Sequence, residues 1–109
     1  MKLCHDHWHM LQNEIDKRGL SHLISSDHEG IMSRALDGSF DLVRDFDPLL
    51  MANFLIWRNA IEIGGAARLV HEPHCPLCER RDVAEEWITD ATNDALNEAR
   101  RLNLVPTLQ

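Results

Sequence analysis

All three cysteines and five of the seven histidines of this chain fall in two short clusters. One is Cys4-His5-Asp6-His7-Trp8-His9 and the other is His71-Glu72-Pro73-His74-Cys75-Pro76-Leu77-Cys78. Cys75 and Cys78 are separated by two residues, a spacing at which one turn aims two sulfurs at a common point, and Pro76 presets that turn. A closed zinc site needs four ligands, so this pair is half of one. Cys4 is the expected third ligand, and His74, His71, His5 and His7 compete for the fourth place. Such a site forces the N-terminus to fold back onto a turn late in the chain, and a metal clip across so long a loop adds stability to a small domain.

Other chemistries use the same donors. Nickel, cobalt or copper can enter a mixed Cys/His set. A redox dithiol would use Cys75 and Cys78, with the following helix lowering the Cys78 thiol pKa; the βαβ pattern that usually carries such a dithiol is missing. A metal-dependent enzyme or metal sensor would need an open coordination position, with Glu72, Glu79 or Asp6 as acid or base. The plainest alternative is reduced, unligated cysteines beside surface histidines.

The periodicity predicts an all-α fold, a compact bundle of about four helices with the Cys/His turn between the last two long ones. A first helix is expected from about Asp6 to Arg18. Cys4, Trp8, Leu11 and Ile15 form its apolar stripe, His7 lies on the same side, and Gly19 ends it. A shorter helix over Glu29 to Leu36 has Ser25, Ser26 or Asp27 as its cap and Ile31, Ala35, Met32 and Leu36 as its face. The third starts from an Asp47 cap with Pro48 in first position and extends to about Val70. Leu49, Leu50, Met51, Phe54, Leu55, Ile56 and Trp57 surround it, so it is the central helix. Phe40, Leu42, Val43 and Phe46 are expected to pack beneath the bundle. Gly64-Gly65-Ala66-Ala67 marks a bend or a close helix contact. The fourth helix, Asp82 to Leu102, is expected to open with an Asp82/Glu85 capping box and to bury Ala84, Trp87 or Ile88, Ala91, Ala95, Ala99 and Leu102. The opposite face carries Glu86, Asp90, Asp94 and Glu98.

At 109 residues and 44% hydrophobic composition the chain is one domain, 1–109, with material for a core. The most apolar run, Leu49 to Trp57, is too short to cross a membrane, so no membrane partner is expected. No apolar leader follows the first residues, and an odd number of cysteines disfavours a disulfide scaffold, so the expected location is cytoplasmic. The net charge of −7 disfavours nucleic acid. Residues 27–47 and 82–109 each hold six acids against two arginines, so a basic protein partner would be steered to them; self-association as a homodimer through Gly64 to Ala67 is the other expectation. The reading that follows is a small acidic interaction or regulatory protein with a structural zinc site. In size and charge the chain also resembles toxin-neutralising immunity proteins, a resemblance that implies protein binding without metal.

Overall fold

The computed structural model describes residues 3–64 and 74–105. They form five helices, four of them long, and no strand. Helix α1 spans His5–Lys17, α2 His28–Asp37, α3 Pro48–Gly64, α4 Pro76–Glu79 and α5 Ala84–Arg101, with one 3-10 turn at Ser21–Leu23.

The helix ends follow from local chemistry. After α1 the chain reverses through Gly19 at φ 72°. The Gly19 N–H donates to the Asp16 carbonyl and the Leu20 N–H to the Ile15 carbonyl, the paired bonds that close a helix around a left-handed residue. Leu20 is thereby turned into the core, fully buried. Asp27 caps α2 by accepting from the Gly30 N–H at 3.1 Å. Asp47 does more. One carboxylate oxygen accepts from the N–H groups of Leu49 and Leu50, at 2.9 and 3.1 Å, and the other from the Ser25 N–H at 2.9 Å. The same side chain thus starts α3 and fastens the segment before α2 to it.

Helix α3 is central, as its composition predicts. Leu49, Ala52, Ile56, Trp57 and Ala60 are buried against α5, α1 and α4. From α5 come Ala84, Trp87, Ile88, Ala91, Thr92, Ala95 and Ala99. The alanines let the α3 and α5 backbones approach, and the volume there is filled by the large α3 side chains. Leu11 and Ile15 close the third side from α1.

Three expectations need amendment. Helix α5 starts at Ala84 with Val83 as its cap, because the Asp82 carboxylate is drawn to the Arg80 guanidinium 3.2 Å away instead of capping. Of the four residues expected beneath the bundle only Phe46 is buried; Phe40, Leu42 and Val43 face solvent. On α2, Ile31 is buried while Ala35 and Leu36 are exposed. The proposed continuation of α3 to Val70, and the contact through Gly65 to Ala67, lie outside the described residues.

The connection from α2 to α3 is organised by Asp45, whose side chain is almost fully buried. Its oxygens meet the guanidinium groups of Arg44 at 2.9 Å and Arg34 at 2.8 Å, and the Asp41 N–H at 2.9 Å. These donors, Arg44 foremost, hold its carboxyl well below the usual carboxylate range. A depressed folded pKa contributes stability above the unfolded value of about 4, and that contribution is lost as pH falls through the folded value. Asp45→Asn is therefore expected to be less stable than wild type at neutral pH, with the gap narrowing below about pH 4; urea unfolding at both pH values checks this.

Candidate metal centre

Cys4 and His7 belong to the start of α1, and Cys75 and Cys78 to the start of α4. The two pairs are built alike. Cys4 is the N-cap of α1 and His7 its third residue; Cys75 is the N-cap of α4 and Cys78 its third residue. In a helix start the N-cap side chain and that of the third residue converge, so each helix presents two donors side by side. The backbone is fixed by the Trp8 N–H donating to the Cys4 carbonyl at 2.8 Å and the Cys78 N–H donating to the Cys75 carbonyl at 3.1 Å. Leu77, between the two cysteines of α4, is fully buried and anchors that turn in the core.

The four donor atoms come together, all within 4.8 Å of one another. His7 Nδ1 lies 3.0 Å from Cys4 Sγ and 3.5 Å from both Cys75 Sγ and Cys78 Sγ. Cys78 Sγ and Cys4 Sγ are 3.5 Å apart although 74 residues separate them in sequence. All three cysteines are free. A tetrahedral ion with bonds of about 2.3 Å to sulfur and about 2.0 Å to nitrogen has edges of about 3.8 Å between sulfurs and about 3.5 Å between sulfur and nitrogen. The observed spacings are close to those edges, so the tetrad can hold a metal ion.

The electrostatics show why a cation suits the cluster. Burial pushes the Cys4 thiol up, but the backbone N–H groups of His7 and Asp6 and the Cys78 and Cys75 thiols outweigh it and hold Cys4 below its ordinary value. Cys78 is pushed the other way, to about 12, by its hydrogen bond with Cys4, by burial and by the neighbouring Cys75. Three thiols this close cannot all ionise alone, since each negative charge raises the pKa of the next. The expectation that a helix start lowers the Cys78 thiol is therefore reversed: the neighbouring sulfurs outweigh the helix dipole.

Of the other histidines considered as ligands, His5 is exposed and stacks edge-on against His9, with ring centroids 5.0 Å apart. His74 is exposed and outside the tetrad. His71 lies outside the described residues. No protein-family model, curated protein or solved structure matches this chain, and the site is read from its own chemistry.

Two outcomes are expected. Serine in place of Cys4, Cys75 or Cys78, or alanine in place of His7, abolishes stoichiometric metal measured by elemental analysis, whereas His5→Ala and His74→Ala keep it. Because binding displaces the Cys78 proton, affinity rises with pH, roughly tenfold per unit for each proton released; competition titrations with a chromophoric chelator at about pH 6 to 8 measure the slope.

Proposed function

We propose that this chain is a helical protein-binding module clamped by a structural zinc ion. The observation that supports the clamp is the donor set: three sulfurs and one imidazole nitrogen lie within 4.8 Å of one another, enough to fill all four positions of a tetrahedron around one ion. Catalytic zinc keeps an open position and structural zinc does not. A set dominated by thiolates with one imidazole suits zinc among the common ions. The ion would neutralise the conflict among the three thiols and tie the start of α1 to the turn before α5.

The binding role is supported by what the fold leaves outside. Leu36, Phe40, Leu42 and Val43 cluster in sequence around the α2–α3 connection, and Phe40 and Val43 are 41% and 57% exposed. Single exposed apolar residues are ordinary on a protein surface, but several together beside an apolar groove mark an interaction site. Among the described residues no helix is long and apolar enough to cross a membrane. The net charge of −7 would steer a basic partner to that interaction site.

Removing the ion with a strong chelator under reducing conditions is expected to lower Tm by roughly 10–20 °C, as for the loss of about 2–4 kcal/mol of loop-closing stabilisation in a domain of this size. One equivalent of zinc should restore it. An unchanged Tm in protein shown to be metal-free would refute the clamp.

A further inference from the structure

An apolar groove of about 250 Å³ is formed by α2, the 39–47 connection and α3. Ile31, Phe40, Leu42, Phe46, Leu50 and Phe54 supply its apolar wall. An apolar cavity of about 150 Å³ accommodates a benzene ring, so this groove has room for an aromatic or large aliphatic side chain. At one end it reaches Leu55 and Arg58, and these two residues also line a second furrow, about 190 Å³, between α3 and α5. That furrow is acidic: Glu62, Asp90 and Asp94 line it against the single guanidinium of Arg58. Asp90 and Asp94 are one turn apart on α5, with Glu86 a further turn back. Like charges at that spacing destabilise a helix, and among the described residues no ion pair offsets the carboxylates of Glu62, Asp90 or Asp94.

We propose that this continuous surface receives one face of a basic amphipathic helix from a partner protein, with an apolar anchor in the groove and lysine or arginine side chains over the α3–α5 furrow. The proposal rests on the binding-module reading above and names its partner class. An apolar groove read by anchors at helical spacing is a recurrent way of holding an amphipathic helix. Charge complementarity selects the basic kind: an acidic helix would bring like charges together over Glu62, Asp90 and Asp94. The same argument disfavours a second copy of this chain. A two-fold contact would bring the same acidic surface of both subunits into one interface, between molecules that each carry −7.

The test uses the full metal-loaded chain and a fluorescein-labelled peptide of leucine, lysine and one tryptophan at helical spacing. Controls are the same peptide with glutamate for lysine and a scrambled version. Fluorescence anisotropy is expected to give saturable binding of the basic peptide at least roughly tenfold tighter than either control, weakening with salt. Phe40→Ser with Leu42→Ser, both at exposed positions, should weaken it about tenfold or more, and Asp90→Asn with Asp94→Asn should flatten the salt dependence. Should the groove variant fail to fold by circular dichroism, the charge variant carries the test. Equal binding of the three peptides, or binding indifferent to both variants, overturns the proposal. A dimer in sedimentation that the groove variant dissolves also overturns it, giving the groove to a second copy. Nile red, a neutral dye, separates the two readings. Dye uptake lost in the groove variant without peptide binding leaves the module and removes the basic helix; no dye uptake and no peptide binding removes both.

Discussion

Three sulfurs and an imidazole nitrogen lie within 4.8 Å of one another in this molecule, and in the proposed reading the architecture depends on what balances their charge. Cys4, whose thiol is held below its ordinary value, raises the cost of ionising Cys78 beside it. Cys4, Cys75 and Cys78 would all be held as thiolates on a divalent cation bound there, which would resolve this conflict. The geometry that permits it is duplicated: two helix starts, α1 and α4, each supply an N-cap cysteine and a third-residue donor. Both helix starts face the site, and at Cys78 the neighbouring sulfurs outweigh any help from the short α4 dipole. Zinc held there would join segments 74 residues apart and fix α1 against the α3–α5 pair, whose alanine-lined contact is the main packing surface of the fold.

The arrangement also separates the two tasks proposed above. The clamp uses the beginnings of α1 and α4, while the apolar groove is made by α2, the connection after it and α3. Helix α3 serves both, packing Trp57 and Ile56 into the core and turning Leu50, Phe54 and Leu55 toward the groove. The network around Asp45 and Asp47 holds the groove wall in place. Asp47 binds the segment before α2 to the start of α3, and Asp45 gathers Arg34 and Arg44. The apolar surface is thus presented by a connection secured through charge-assisted hydrogen bonds, with little apolar burial of its own.

Much of this was legible in the sequence, for identifiable reasons. Helix ends were readable where one side chain had one option, as with Asp47-Pro48 and Gly19. The inner face of α5 was readable because alanine and tryptophan recur at helical spacing. Cys4 stands out as a candidate donor because it extends the stripe of Leu11 and Ile15. The choice of His7 over its neighbours was harder, since histidines on both sides of Asp6 are chemically equivalent. The usable signal was spacing: Cys4 and His7 are three apart, as Cys75 and Cys78 are, and both pairs open helices. Asp82 departs from the capping pattern because Arg80 competes for its carboxylate, a contact that spacing alone does not anticipate. Phe40, Leu42 and Val43 were assigned to the core from hydrophobicity alone. Their exposure follows from where the Asp45 network draws the chain, which no local pattern encodes.

X-ray absorption at the zinc edge, on reduced protein purified without chelator, tests the central claim most directly. The account predicts one zinc per chain with a first shell of three sulfurs at about 2.3 Å and one nitrogen at about 2.0 Å. A chain without zinc, or a shell dominated by nitrogen and oxygen, would contradict it.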